Sequence, residues 1–320
     1  MNYIVLDLEW NQSRGKSKTN KEIPFEIIEI GAMKLDSQKR VIGEFHELIK
    51  PEVYLDINQI IKTIIHLNKE ELEKGAPFAE ATSRFLDWCG DEEYIFCTWG
   101  PTDLSELQRN MKYHKMKPLS LVPIAFLDVQ KLFSYQYEDK KSRRTLEYAV
   151  DFLHIEKDIP FHRAFSDAYY TARIMKGISE ETQKYISFDV FHIPQKKQQE
   201  IHMVFDDYTK YISREFNTKT VAMMDKEIAS TKCYKCDRVL RKTLKWFTPN
   251  GRNYYSISYC PEHGNMKGKI RFRRTEEKTY YAVKTLKFIT EEEKQEILLK
   301  KEKLRIRRRE KRKMHSQKRK

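Results

Sequence analysis

Tyr3-Ile4-Val5-Leu6-Asp7-Leu8-Glu9 is an apolar run that ends in two carboxylates two positions apart. In a strand, residues i and i+2 point to the same face. Asp7 and Glu9 therefore project together, while Ile4, Leu6 and Leu8 fill the other side. A strand apolar on both faces belongs in the middle of a covered sheet. Two like charges buried at its exit are unfavourable unless a cation neutralises them. A divalent metal meets that need, and further acidic ligands are then expected along the chain.

After a polar loop, Ser13 to Glu22, two more apolar runs follow at Ile23–Leu35 and Val41–Lys50. Together the three read as an antiparallel meander. Ile57, Ile60, Ile61, Ile64 and Ile65 recur at helical spacing, and Ala79 to Trp88 is a second amphipathic stretch. A short strand, Tyr94–Thr98, breaks at Trp99-Gly100-Pro101, and a helix runs on to about Tyr113. That junction puts Asp103 in the first turn of a helix. Ile124–Asp128 is another strand, and helices are expected from about Thr145 to Leu153 and from Ala164 to Met175. The last carries Ala164, Ala168 and Ala172 as a small-residue stripe, with His162 before it and Asp167 on its first turns. Strands in a meander, then strand–helix alternation, predict an α/β domain with a mixed sheet.

The set Asp7-Leu8-Glu9, Asp103 in Trp-Gly-x-x-Asp-x-x-x-Leu, and His162-x4-Asp167 resembles the DEDDh family of 3′-to-5′ exonucleases. Glu29-Ile30-Gly31-Ala32 also fits, and the layout is most similar to Eri-type exoribonucleases and their bacterial KapD-like relatives. The resemblance implies a ribonuclease H-like fold over residues 1–178. It implies four carboxylate ligands, Asp7, Glu9, Asp103 and Asp167, for two Mg²⁺ or Mn²⁺ ions. Hard oxygen ligands suit those ions. Two such ions, about 4 Å apart, stabilise the attacking and leaving oxygens of a phosphoryl displacement. By the same resemblance Asp7 bridges the ions, and His162 takes the proton from the attacking water. An ordinary imidazole pKa suits that task at neutral pH. Taken singly, Asp103 could be a helix cap, Asp167 a solvated helical residue and His162 a loop histidine; order and context together argue for the site. Trp10 stands where the family commonly has Thr or Ala, near the terminal nucleotide; it is a nucleic-acid contact or part of the core.

Beyond the resemblance, residues 179–230 read as a helical linker, with Ile201, Val204, Phe205, Tyr208, Ile212 and Phe216 as an apolar stripe. Residues 231–290 read as a zinc ribbon. Cys233-x2-Cys236 and Cys260-x2-His263 form two half-sites for a tetrahedral Zn²⁺. The alternative, a redox Cys-x-x-Cys, is disfavoured by the second pair. Trp246, Arg252 and Tyr254 interleave rings and charge, as a single-strand binding surface does, or else serve the ribbon's own core. Residues 291–320 form a basic tail, partly helical and otherwise disordered, with Arg307, Arg308 and Arg309 as candidate phosphate contacts.

Charge is unevenly placed. Of the net +14, the last 21 residues supply +11, with thirteen Lys/Arg against Glu302 and Glu310. Such a tail predicts a polyanion partner: single-stranded nucleic acid, RNA 3′ ends above all, or RNA-rich assemblies. No run is apolar enough to span a membrane, no signal peptide is expected with the first strand at the start of the sequence, and five cysteines in 320 residues make no disulfide framework. The expected location is cytoplasmic, with no membrane partner. The reading that results is a metal-dependent 3′-to-5′ exonuclease, with RNA favoured. Its alternatives are a DNA exonuclease of proofreading or repair type, and an RNA-binding protein that keeps the fold without turnover.

Overall fold

A computed structural model describes the chain except residues 14, 16–18, 60–61, 64–66 and 318–320, with backbone alone for 312–317. It divides into two units, Met1–His192 and Ile193–Lys320. Ile60, Ile61, Ile64 and Ile65 of the expected isoleucine helix lie outside the described residues; Ile57 is buried with Ile28, Leu67 and Leu72.

In the first unit, β1 (Asn2–Gln12), β2 (Phe25–Leu35) and β3 (Val41–Leu48) form the expected antiparallel meander. Helices α1 (Lys69–Glu73) and α2 (Phe78–Cys89) follow, then β4 (Tyr94–Thr98), α3 (Asp103–Tyr113), β5 (Ile124–Asp128), α4 (Val129–Tyr137), α5 (Leu146–Phe152), α6 (Ala164–Gly177), α7 (Glu180–Gln183) and β6 (Ser187–Asp189). The sheet order is β3-β2-β1-β4-β5-β6. β4 and β5 run parallel to β1 and to each other, and β6 is antiparallel to β5. Ile4, Val5 and Leu6 of β1 are fully buried, as a strand covered on both faces requires.

Three features place the ends of β1, α3 and α6 together. First, β4 pairs only with Asn2–Val5, so β1 projects beyond its parallel neighbour. Second, β6 ties down α3: the buried Asp189 carboxylate accepts from Gln108 Nε2 at 2.7 Å and from the Ser105 hydroxyl. Asn110, also on α3, bonds the Ile27 N–H (3.1 Å) and the Phe25 carbonyl (2.9 Å) of β2. Third, α6 lies directly on Gly31, where a Cβ would come within 2.1 Å of the Ala164 carbonyl carbon and the Phe165 nitrogen. Ala164, Ala168 and Ala172 are buried on that helix, so the small-residue stripe does bring it onto the sheet.

The second unit departs from the helical linker expected before the cysteines. The stripe from Ile201 to Phe216 is not a helix. It forms the antiparallel pair β7 (Ile201–Val204) and β8 (Thr209–Ile212), joined through Phe205 and Tyr208. Among the described residues, helical structure there is limited to a 3₁₀ turn (Lys197–Gln199) and the short α8 (Lys219–Met224) and α9 (Lys226–Ala229). β9 (Lys242–Phe247), β10 (Asn253–Cys260), β11 (Gly264–Arg274) and β12 (Tyr280–Phe288) complete one six-stranded sheet, ordered β7-β8-β12-β11-β10-β9. The cysteine-bearing β module thus includes strands from both sides of the cysteines. The basic tail, expected to be partly helical and otherwise disordered, is a helix, α10 (Glu291–Gln317), over its whole described length. Ile297 of its first turns is buried against Phe247 and Ile257. Among the described residues no helix is long and apolar enough to cross a membrane.

The close approach of α6 to Gly31 gives a direct test. Gly31→Ala forces a methyl into backbone, an overpacking expected to destabilise by about 1–3 kcal/mol or more. Its thermal unfolding midpoint should fall by several degrees. An unchanged midpoint would contradict this packing.

Candidate functional site

Asp7 and Glu9 leave β1 on one side, as the strand alternation requires, and Asp167 meets them from the first turns of α6. One carboxylate oxygen from each lies within 4.8 Å of the others. Asp103, the first residue of α3, stands outside that trio, yet it is the carboxylate that most strongly raises the Asp7 pKa. The Asp103 carboxylate is buried and accepts from its own N–H and from that of Leu8, beyond the part of β1 that pairs with β4.

Crowding and burial hold protons on this cluster. Burial first, then Asp103, Asp167 and Glu9, pushes Asp7 well above its ordinary value. Glu9 is pushed up to about 8 by burial, Asp167 and Glu29. Asp103 rises to about 7, chiefly by burial and against the pull of its two N–H donors. Asp167 rises to about 6 by burial, opposed by the His162 N–H, which donates to its Oδ1 at 3.2 Å. A cation would reverse all four shifts. Four hard oxygen donors that repel one another in a partly dry site fit Mg²⁺ or Mn²⁺ by donor chemistry.

His162 is exposed at the start of α6, with its backbone at φ 64°, a left-handed conformation uncommon outside glycine. The turn is pinned on both sides. Its N–H binds Asp167, and the next residue, Arg163, lays its guanidinium on Glu29, with Nε at 3.1 Å from both oxygens and Nη2 at 3.0 Å from Oε1. Glu29 is fully buried opposite Glu9 in the β1–β2 ladder and also bonds His46 Nε2 at 2.7 Å. Burial pushes the Glu29 carboxyl up, but the bonds from His46 and Arg163 outweigh it and hold the group below its ordinary value. Glu29 thus stays charged and anchors the histidine turn. In the sequence Glu29 is visible only as a motif letter, and Arg163 carries no signal. Their pairing spans 134 positions and leaves no local pattern.

Trp10 follows a bulge in the β1–β2 register and packs on Phe25, ring centroids 5.6 Å apart. It is half-buried at the edge of the main core.

In the second unit, Cys233 and Cys236 sit in a turn before β9, Cys260 ends β10, and His263 lies in the β10–β11 turn. One ligand atom from each falls within 4.8 Å of the rest. Cys236 Sγ–Cys260 Sγ is 3.7 Å, Cys233 Sγ–His263 Nδ1 3.6 Å and Cys260 Sγ–His263 Nδ1 3.5 Å. Bonds of about 2.3 Å to sulfur and about 2.0–2.1 Å to nitrogen give tetrahedral edges of about 3.8 Å for S–S and about 3.5 Å for S–N. The observed edges match a closed four-coordinate zinc site, and the Cys₃His set fits zinc in chemistry as well. Trp246 and Tyr254 are committed to the module's own packing. The Trp246 indole donates to the Ala229 carbonyl at 2.8 Å and its ring lies against Gly268, while Tyr254 meets Phe272 edge-on at 5.3 Å. Arg252 is exposed in the β9–β10 turn, and Arg307, Arg308 and Arg309 are exposed on α10.

An α/β fold with a mixed sheet and four convergent carboxylates defines a metal-dependent nuclease class. The chain belongs to the exonuclease family, whose model matches residues 4–175, more than half of it. Among solved structures of similar fold is the nuclease domain of 3′hExo, a DEDDh family member, bound to rAMP. It shares 17% identity at a TM-score of 0.50, over 59% of this chain and 96% of that one. A 3′-exonuclease in a structure of histone mRNA stem-loop recognition shares 16% identity, with a TM-score of 0.48, over 55% of this chain and 80% of that one. E. coli exonuclease I with a dA16 oligonucleotide shares 14% identity, with a TM-score of 0.48, over 84% of this chain and 54% of that one. No curated protein sequence matches the chain.

Two outcomes follow from the electrostatics. Raised carboxyl values mean that the fold favours the protonated forms. Their stabilising contribution is complete below the ordinary carboxyl range and is lost as pH rises through the values of about 6 to 8. In EDTA the thermal midpoint of the first unit should therefore drop between about pH 5 and about pH 8.5, and Mn²⁺ should restore it mainly at the alkaline end. A flat midpoint in EDTA would contradict the buried cluster. For the second unit, elemental analysis should find about one zinc per chain. Cys236→Ser should lose the metal and lower the unfolding transition of Ile193–Lys320 while sparing that of the first unit. Full-length protein purified without chelator and free of zinc would refute the assignment.

Proposed function

We propose that the chain hydrolyses the 3′-terminal phosphodiester of single-stranded nucleic acid, RNA in preference to DNA, and releases nucleoside 5′-monophosphates. The observation that carries this reading is the convergence of Asp7, Glu9 and Asp167 on one point, with Asp103 acting strongly on Asp7. The preference for RNA rests on the likeness to Eri-type exoribonucleases and on the basic C-terminal segment.

Asp7, Glu9, Asp103 and Asp167 would hold the two divalent cations, which when bound supply charge stabilisation to the attacking and leaving oxygens. The protein's own groups do the rest. Asp7 feels the charge of all three other carboxylates and would be a shared ligand of the cations. The His162 ring, exposed beside Asp167 on a pinned turn, takes the proton from the attacking water. Arg163 and Glu29 keep that turn in place and act through His162 and Asp167 rather than on the substrate. Asp189 and Asn110 fix α3, and with it Asp103.

The test is a degradation ladder on matched 5′-labelled RNA and DNA single strands, with Mn²⁺ or EDTA. The RNA should shorten from its 3′ end faster than the DNA, and EDTA should stop both. Asp7→Asn should lower the rate by at least about 10³-fold, as loss of several kcal/mol of transition-state stabilisation does. His162→Gln should cost about 10²–10⁴-fold, the range for a general base. Faster cleavage of DNA would keep the chemistry and reassign the substrate. Wild-type protein that binds RNA and releases no mononucleotide would overturn the enzyme reading.

A further inference from the structure

Charge divides sharply between the two units. Ile193–Lys320 holds 35 of the 61 Lys/Arg and 16 of the 47 Asp/Glu, a net +19, which leaves −5 on Met1–His192. The attraction of this protein for a polyanion therefore resides in the second unit, and the tail accounts for only part of it. Strand β11 shows where the rest lies. Met266, Gly268, Ile270 and Phe272 are buried, while the alternate residues point to the opposite face. Those residues are Lys267, half-buried, and Lys269, Arg271 and Arg273, all exposed.

Neighbouring elements add cations to this row. The register sets Lys287 of β12 directly across from Lys267 and Tyr255 of β10 directly across from Lys269. Lys267 and, from α10, Lys300 each hold an ammonium 5.9 Å from the centre of the Tyr255 ring. The ion pairs of this unit engage Arg214, Lys232, Arg238, Lys294 and Arg305, and among the described residues none reaches Lys269, Arg271 or Arg273. Burial lowers the Lys267 ammonium below its ordinary value; Lys300, Lys269 and Lys287 lower it further, with Glu293 acting against them. The row is a set of like charges that the protein itself leaves largely uncompensated.

We infer that Lys267, Lys269, Arg271 and Arg273, flanked by Lys287 and Lys300, form a binding track for the phosphodiester backbone of a nucleic-acid single strand. Side chains on alternate strand residues stand about 6.8 Å apart, a linear spacing suited to successive phosphates of an extended strand and not to one compact anion. Tyr255 places an aromatic ring among the cations, the combination that single-strand surfaces use. The identity of the occupant rests on the exonuclease reading, whereas the track itself does not. Its function is to hold substrate independently of the sequence-blind chemistry at the carboxylate cluster.

The decisive measurement is fluorescence anisotropy of a labelled 20-nucleotide oligo(A) RNA, titrated with full-length protein in buffer without added Mg²⁺ or Mn²⁺ and without chelator, so that turnover is withheld and the Cys₃His site is left intact. The triple variant K269Q/R271Q/R273Q should bind at least tenfold more weakly at low salt. The slope of log affinity against log salt should shrink by about 0.7 for each phosphate that the variant no longer neutralises, the single-strand value. A control triple at exposed lysines of the first unit, K115Q/K117Q/K141Q, should leave both unchanged. With Mn²⁺, hydrolysis of a dinucleotide should be the same in variant and wild type, while long RNA should be degraded less processively by the variant. Unchanged affinity and salt slope in the track variant would overturn the inference, as would a loss confined to duplex. Because binding is read without added Mg²⁺ or Mn²⁺, a wild type that binds through the track yet never cleaves when Mn²⁺ is supplied would refute the exonuclease reading and leave the track standing.

Discussion

Mutual repulsion among carboxylates sets the terms for the first unit. Burial raises the proton affinity of Asp7, Glu9, Asp103 and Asp167, and the charge of neighbouring carboxylates adds to it. Left alone, side chains in that position would turn outward to water. The fold denies them that freedom. Gly31 lets α6 touch the sheet, Asp189 and Asn110 clamp α3, and β1 runs past β4 so that the Leu8 N–H is available to Asp103. Rigid elements, not loops, therefore hold all four acids, and the repulsion between them is relieved by bound protons or by cations.

Glu29 shows how the protein separates a structural charge from the ligand charges. It lies beside the same cluster, fully buried opposite Glu9, yet its carboxyl falls below its ordinary value where the other four rise. The difference is the Arg163 fork and His46. A buried ion pair adds little stability by itself, but breaking one leaves an uncompensated charge, so its geometry is strongly enforced. Here the enforced geometry is that of the His162 turn. The paired Glu29 holds the His162 turn, whereas the carboxyls of the cluster stay raised, as groups suited to a cation do.

The parts legible in the sequence are those where one physical period dominates. β1 alternates cleanly, Gly100-Pro101 marks the break before α3, and the alanine stripe announces the close approach of α6. Other parts mislead for equally physical reasons. Ile201, Val204, Phe205, Tyr208, Ile212 and Phe216 satisfy helical spacing, but the strands there are four residues long, too short to display a period of two. The turn between them, Phe205-Asp206-Asp207-Tyr208, carries the aspartates that mark a reversal. Helix α4 escapes a reading by periodicity, although Asp128 caps it through the Lys131 N–H. The Cys₃His set is readable by spacing, whereas the six-stranded sheet around it is not, because β8, and β7 through it, joins β12 across about seventy residues of chain.

The division of charge explains why such a catalytic unit needs a second one. A cluster of acids is a poor place to greet a polyanion, and a unit of net −5 repels its own substrate at long range until metal is bound. Attraction has to be supplied elsewhere in the chain, by cations that do not themselves enter the carboxylate site and neutralise it. A β-sheet does this well, because alternation lets one strand bury Ile270 and Phe272 in the module core and still show Lys269, Arg271 and Arg273 to solvent. The Cys₃His set suits that division in a small module: a metal held there would cross-link the β10–β11 turn to the segment before β9 and supplement the core beneath the exposed basic face. Metal would thus serve the two units in opposite ways, relieving charge repulsion in the first and supplementing hydrophobic burial in the second.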